Sequence, residues 1–444
     1  MSLVPQPIGV PSHFPTASVI ELDLANPVPT LAATEHARDV LVVVRLCGTP
    51  VGMVVCPARV AADPGALSAA IATTLGEAIA VEALSHGLTA VPRITVAGLV
   101  HHECPIRAAH DRVSRTGPAV SVVVCTRERA DSLRRCLDSV RVSHYHRFEI
   151  VVVDNAPLTD TTELVCADMA LGGASSISYV REERVGLSWA RNAGIESAAH
   201  DLVVFVDDDE QVDAGWLAAL AHEFELDSNV GCVSGVVLPA ELETHAQAQF
   251  EQFGGHSKGR GFRRVLFDQE HVRTCQSAMY PLPAFGVGAN MAFRRAALAD
   301  IGRFNLALGA GTSTHGAEDT YAFSELLLAG WSMVYAPAAV TWHYHRVDGD
   351  ALERQLAGYG VGLGAYYTAL VLRNPLRLAA LARLAPQAVR DLRDPNSARN
   401  APLADLPDDV ARGNVRTMLR GPVEYARARR RARHQARAPI TNRR

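Results

Sequence analysis

The sequence predicts an α/β protein: a mostly parallel, twisted, Rossmann-like sheet with helices on both faces, preceded by a small α+β unit. Three observations carry that expectation. From Ala119 onward, short apolar runs alternate with amphipathic ones. The apolar runs are continuous rather than alternating, so they read as strands buried on both faces. Each run also ends in polar or charged residues, and open parallel sheets bind ligands at the carboxyl ends of their strands.

With 444 residues the chain is too long for one ordinary domain. Its composition is globular, 48% hydrophobic and 20% charged, and the formal charge of −4 gives no reason to expect nucleic acid as a partner. Eight cysteines lie scattered without CxxC pairs, which suits reduced thiols in a cytoplasmic protein. No basic patch with a following apolar region marks a signal peptide at the start. No uncharged apolar run reaches the ~20 residues a spanning helix needs. Abundant Ala, Arg and Val with little Lys points to a GC-rich bacterial genome.

In chain order, residues 1–17 are rich in Pro and Ser and are expected to be disordered. Residues 18–115 read as a separate small unit whose role the sequence does not reveal. There, "DVLVVVRLCGTPVGMVVCP" gives two strands around Gly48-Thr49-Pro50. A helix follows from Pro64 to His86, then a short strand near Ile94 to Ala97. His101 and His102 beside Glu103 and Cys104 suggest a metal, but adjacent histidines cannot both face one ion from a regular element. A surface turn is the expectation there.

The larger domain, 119–346, begins with "AVSVVVCT" as a buried strand and "RADSLRRCLDSVR" as an amphipathic helix. "FEIVVVDN", "SISYV" and "LVVFV" are further strands, separated by the helical stretches "DTTELVCADMA" and "LSWARNAGIESAA". The last strand runs into Asp207, Asp208 and Asp209, with Glu210 behind them. Such crowded carboxylates repel and add nothing to stability, so they imply a divalent cation. Asp154, at the end of the second strand, can accept from the edge of a base. Arg191 and Asn192, one turn into a helix, can reach a diphosphate.

In this order, "SVVVCTRERADSLRRCLDSV", "VVVDNA", "GLSWARNAG", "FVDDDE", "GVGANMAFRR" and "GAEDTYAFSELLLAGW" resemble the family 2 glycosyltransferases, which have the GT-A fold. The resemblance runs from Val120 to His345. It implies an inverting glycosyltransferase that moves a sugar from a nucleoside-diphosphate donor (UDP-, GDP- or dTDP-sugar) to a hydroxyl acceptor, with Mn²⁺ or Mg²⁺ as cofactor. The acceptor would be a cell-envelope glycan, a glycolipid, or a secondary metabolite or peptide. Thr126, Arg129 and Asp154 match nucleotide contacts, and Arg191 and Asn192 the diphosphate-side motif. Asp207 and Asp209 match the Asp-x-Asp metal motif; Asp207 or Asp208 could instead hold the ribose while Asp209 takes the metal. Glu128 replaces the Asn often found in the first motif.

On the acceptor side, residues 239–283 form a long polar stretch. Gly286, Gly288 and Asn290 in "FGVGAN" allow backbone to approach a ligand. The resemblance places the catalytic base at Asp319, with Glu318 beside it, and a metal-binding histidine at His343, with His345 the other candidate. The alternative on the same fold is a nucleotidyltransferase or a nucleotide-sugar binding protein, but "CTRERAD" lacks the Gly-rich loop expected of the former.

Residues 347–424 read as helical. Beyond Glu424 a tail, 425–444, holds eight arginines and no acid, which reads either as a solvated segment or as a contact for anionic lipid on the inner face of a membrane. The apolar run from Val361 to Pro386 reads as a helix packed on the domain or lying in a membrane surface.

Overall fold

Valine-rich runs and a tight turn build the first unit. In this computed structural model, residues 10–437 are described except 12, 35–36, 86, 88–92, 100–103, 172–175, 258–259, 275–276, 280–284 and 395–415. Strands β1 (Ala17–Asp23), β2 (Asp39–Leu46) and β3 (Thr49–Pro57) form a sheet in that order, β1 parallel to β2 and β2 antiparallel to β3. The β2–β3 turn is Cys47-Gly48, both at positive φ, with their N–H groups held by the Asp23 carboxylate. Short α1 (Ala58–Ala61) leads into α2 (Pro64–Ser85), which packs Leu67, Ile71, Leu75 and Ile79 beneath the valines of β2. By length and composition α2 could cross a membrane, a test that core helices also pass. Helix α3 (Pro105–Thr116) joins this unit to the next.

Three expectations are corrected here. Phe14 is buried and Ala17 opens β1, so order begins before residue 17. β1 itself was not anticipated; "ASVIELD" lacks the apolar continuity of its neighbours. The strand near Ile94 to Ala97 is only an isolated Thr95–Gly98 bridge. His101, His102 and Glu103 lie outside the described residues.

The large domain follows the expected alternation: β4 (Val120–Thr126), α4 (Ala130–Arg141), β5 (Phe148–Asn155), α5 (Thr161–Leu171), β6 (Ile177–Glu182), α6 (Leu187–Ser197) and β7 (Leu202–Asp207). Then come β8 (Glu210–Val212), α7 (Trp216–Leu226), β9 (Val230–Pro239), α8 (His245–Gln252), β10 (Val265–Phe267) and α9 (Gln269–Thr274). The domain closes with β11 (Asn290–Arg294), α10 (Arg295–Ile301), α11 (Glu318–Leu328) and β12 (Ser332–His343). The strand order is β10-β12-β9-β11-β7-β4-β5-β6, with β8 against β12. Pairings leave β4, β5, β6, β7, β9 and β12 running one way and β8, β10 and β11 the other. Chain order reverses at β4, between β7 and β5, so a crevice opens at their carboxyl ends. Separate apolar clusters cover the two faces, one around Phe205, Phe293 and Phe323, the other around Leu133, Trp216 and Val122.

Helix α12 (Gly349–Arg373) buries Leu356, Ala365, Tyr366 and Leu370, so the first part of the Val361–Pro386 run is packed on the domain. Helix α13 (Arg377–Arg393) has no buried residue among those described and exposes Leu378 and Val389. The arginine tail is a helix, α14 (Gly421–Arg437), whose Tyr425, Ala428 and Ala432 pack into the same cluster as, or close to, the α12 face. The contact is so close that a Cβ on Gly364 would lie 2.0 Å from the Met418 carbonyl oxygen.

Candidate active site

The sequence "DDDE" spans a strand end, a turn and the start of another strand. Asp207 ends β7, in register with Cys125 of β4, and Glu210 opens β8 opposite His343 of β12. The four carboxylates therefore meet different surroundings. Asp207 Oδ1 accepts from Arg191 Nη2 at 3.2 Å. Asp208 is buried and accepts from Thr126 Oγ1 at 2.6 Å and Arg129 Nη1 at 3.1 Å. The same Arg129 nitrogen donates to Asp209 Oδ2 at 2.8 Å. Burial, then repulsion from Asp209, pushes the Asp208 carboxyl up to about 6. Asp209 goes the other way: burial opposes ionisation, but His343 and Arg129 overcome it and hold the group below the usual carboxylate range.

Asp209, Glu210 and His343 each offer a ligand atom, and these atoms lie within 4.8 Å of one another. Neither oxygen of buried Glu210 makes a hydrogen bond of normal geometry. Burial raises its carboxyl to about 8, only partly offset by His343 and Thr341. Burial lowers and Asp209 raises the His343 imidazole, which ends at about 9. Two carboxylate oxygens and one imidazole nitrogen this close together fit a divalent cation. His343 Nε2 faces Asp209 Oδ1 at 3.6 Å, whereas His345 Nε2 turns away to Glu251 Oε1 at 2.6 Å.

Arg191, 2% exposed, connects this cluster to the second pair of acids. Its Nη1 donates to Glu318 Oε1 at 2.8 Å and its Nη2 to the Gly288 carbonyl at 3.0 Å. Burial, moderated by Arg191, raises the Glu318 carboxyl to about 7. Asp319 is less buried; Oδ2 accepts from Gly288 N–H at 2.8 Å and Oδ1 from Thr320 N–H at 2.6 Å. The turn entering α11 holds two non-glycine residues at positive φ, His315 (62°) and Ala317 (70°), and both line the cavity.

A cavity of about 930 Å³ brings together Thr126, Arg129, Arg191, Asp207, Asp208, Asp209, Gly288, Glu318, Asp319 and His343. Three expected contacts are not among its lining. Asp154 has no exposed surface and accepts from Tyr179 OH at 3.1 Å. Asn192 is a strap, exchanging hydrogen bonds with the backbone of Phe304. Asn290 is fully buried, donating to Val236 and Ala339 carbonyls and accepting from Trp216 Nε1. Of the two acids of the Asp-x-Asp match, Asp209 is in this converging group and Asp207 is not; Glu210, in plain view after "DDD" but not singled out by the sequence reading, takes its place. Sequence reasoning also missed Gln355 and Tyr359 of α12, which line the other side of the cavity and carry no local motif.

The site is thus a carboxylate cluster at the switch point of a doubly wound sheet, facing a second acid pair, the place where open α/β sheets bind their ligands. Residues 121–302 match the family model "Glycosyl transferase family 2". Among curated proteins, the glycosyltransferase GlyA of Streptococcus pneumoniae is 32% identical over 25% of this chain and 16% of its own. The pre-mycofactocin glycosyltransferase of Mycobacterium tuberculosis is 27% identical over 62% of this chain and 52% of its own. The chain spans about half the length, or less, of these two curated relatives. Among solved structures, the mannosyltransferase PcManGT from Pyrobaculum calidifontis, in complex with GDP-Man and Mn²⁺, aligns with a TM-score of 0.44 at 20% identity, covering 72% of this chain and 88% of that one.

Proposed function

We propose that the chain is a metal-dependent, inverting glycosyltransferase that moves a sugar from a nucleoside-diphosphate donor to a hydroxyl acceptor. The observation that carries this is the cavity itself, where Asp209 and His343 of a cation-fitting cluster reach the lining with buried Glu210 behind them, and, apart from them, Asp319 is an acid available as a base. Asp209, Glu210 and His343 would hold Mn²⁺ or Mg²⁺, which supplies neutralising charge for the departing diphosphate. Asp319 removes the proton of the acceptor hydroxyl as its oxygen attacks the anomeric carbon. Gly288 and Thr320 N–H groups orient that carboxylate. Glu318 is committed to Arg191, so it positions the site rather than accepting the proton. Arg129 and Thr126, fixed by Asp208, would contact the nucleotide. UDP-, GDP- and dTDP-sugars all remain donors of the right class.

The test is a thermal-shift panel of nucleoside diphosphates and their sugars with and without Mn²⁺ or Mg²⁺, followed by product analysis. A metal-dependent rise in melting temperature with one nucleotide, and transfer to a hydroxyl with inversion, is the expected result. Release of pyrophosphate from a nucleoside triphosphate would instead support the nucleotidyltransferase reading.

We also propose that α13 and α14 hold the enzyme peripherally against an anionic membrane. Arg429, Arg430, Arg431, Arg433 and Arg437 of α14 are exposed, as are Leu376 and Leu378 at the start of α13. Met418, just before α14, lines the cavity, so such a surface would stand beside the acceptor's way in.

A further inference from the structure

Behind the cation-fitting cluster lies a buried chain of polar side chains that the proposed reaction does not use. His343 Nδ1 and His345 Nδ1 are 2.7 Å apart, and His345 Nε2 is 2.6 Å from Glu251 Oε1. All three side chains are buried. They come from the end of β12 and the loop just beyond it, and from helix α8, which sequence separates by more than 90 residues.

We propose that Glu251 and His345 are positioning residues that set the tautomer of His343 and so present its Nε2 lone pair to the cation. The inference rests on the metal reading above. Its logic is donor counting. A carboxylate only accepts, so the proton between Glu251 and His345 sits on His345 Nε2. A neutral His345 then has a bare Nδ1, which can only accept. The proton of the next link therefore sits on His343 Nδ1, which leaves Nε2, the nitrogen that faces Asp209, as the one whose lone pair a cation would take. Ligating histidines generally donate their other ring N–H to an acceptor that fixes the ring; here that acceptor is a second imidazole backed by a carboxylate.

The surroundings hold this polarity in place. Phe250 packs edge-on against His345 with ring centroids 4.8 Å apart, and His256 against His343 at 4.3 Å. Thr244 and Gln247 form a capping box at the start of α8, and Gln247 Nε2 also donates to the His345 carbonyl. The His343 carbonyl accepts from Ala240 N–H at 2.9 Å. Gly255, at φ 53°, passes so close that a Cβ there would lie 2.3 Å from Glu251 Oε1, so glycine allows the loop to cover the carboxylate.

The experiment has a wild-type arm and a variant arm. Heteronuclear ¹⁵N–¹H spectra of the imidazoles in Mg²⁺-loaded wild type should show His343 protonated at Nδ1 only. A His343 carrying its proton on Nε2, from a relay of reversed polarity, overturns the proposal. In the variant arm, Mn²⁺ affinity is read by electron paramagnetic resonance without donor or turnover. Glu251→Leu and His345→Phe should weaken Mn²⁺ binding by roughly 10- to 100-fold. Glu251→Gln, which keeps an acceptor oxygen, should recover most of that loss. Folded leucine and phenylalanine variants that bind Mn²⁺ as wild type does would overturn it as well. Should they not fold, the wild-type tautomer alone decides. If wild type binds neither Mn²⁺ nor Mg²⁺, the metal reading itself fails, a result distinct from normal metal binding with an insensitive relay.

Discussion

Arg191 Nη1 donates to Glu318 Oε1 at 2.8 Å, and neither side chain reaches solvent to any useful extent. Through its other nitrogen the same guanidinium holds Asp207 and the Gly288 carbonyl. One cation thus ties the end of β7, the start of β11 and the start of α11 together, and it balances acids that would otherwise repel.

Removing that cation should be costly. Arg191→Met leaves Glu318 buried without its partner, a change that typically destabilises by about 3–5 kcal/mol. Urea unfolding at neutral pH measures it. Adding Glu318→Leu to the same chain should return a good part of the stability, because the stranded acid is gone. A single variant as stable as wild type would show that the pair contributes nothing.

Asp209→Ala should abolish transfer and the metal dependence of donor binding while the protein stays folded. Asp209 is one of the three groups proposed to hold the cation, and its ionised form is stabilised there by His343 and Arg129. Parental turnover in this variant would refute the metal assignment. Circular dichroism and a melting curve establish that the chain is still native.

Asp319→Asn preserves size but cannot accept a proton at neutral pH. Donor binding should survive, with turnover falling by roughly a hundredfold or more, the usual scale for losing a general base. Calorimetry for the donor and single-turnover kinetics separate the two effects. Lost affinity with normal turnover of bound donor would move Asp319 to the nucleotide side.

The sequence made the alternation of the large domain legible because its buried strands are continuous and its helices amphipathic. It located the acids as well, since "DDDE" follows a strand directly. Their division of labour was not legible. Which acid stands beside His343 depends on β8 folding back onto β12, and nothing within a few residues of Asp209 encodes that. Asp154, Asn192 and Asn290 stand in motif positions yet lie outside the cavity lining and hydrogen-bond within the domain, a distinction set by tertiary packing. Glu251 meets His345 across a long separation and has no motif of its own. In the tail, charge drew attention away from Tyr425, Ala428 and Ala432, whose spacing of three and four marks a helix face that packs.

Cation affinity should rise with pH. In the metal-free site burial lifts Glu210 to about 8, and Asp209 lifts His343 to about 9 against the effect of burial. Both must lose protons to serve as ligands, so binding at pH 6–7 releases up to two protons and strengthens as pH climbs toward 9. Folding linkage has the opposite sign. Unfolded, these groups titrate near 4.5 and 6.5, so above those values the native state binds more protons and metal-free stability falls with pH. The melting-temperature gain from saturating Mg²⁺ should therefore be larger at pH 8 than at pH 6. Calorimetry in buffers of different ionisation enthalpy counts the protons; a pH-independent affinity with none released would contradict the ligand set.

The last prediction concerns where the enzyme works. Cutting the chain after Glu424 is a poor test, because Tyr425, Ala428 and Ala432 are buried and their loss would unpack α12. The exposed arginines can be changed without that damage. Each basic residue close to an anionic surface contributes ~1 kcal/mol, so three engaged arginines would raise partitioning by a hundredfold or so. Arg429→Glu, Arg430→Glu and Arg433→Glu together reverse the charge while keeping the packed stripe of α14. Leu376→Ser and Leu378→Ser test the apolar part, since these side chains are 82% and 60% exposed and would gain by entering the lipid boundary. Sedimentation with anionic and neutral vesicles reads both sets. Wild type should pellet with anionic vesicles only, and less so as salt is raised. The charge-reversed chain should stay in the supernatant, while the serine variant should bind more weakly yet still prefer anionic lipid. Wild type left in the supernatant at low salt would sink the membrane proposal and make a soluble acceptor the better reading.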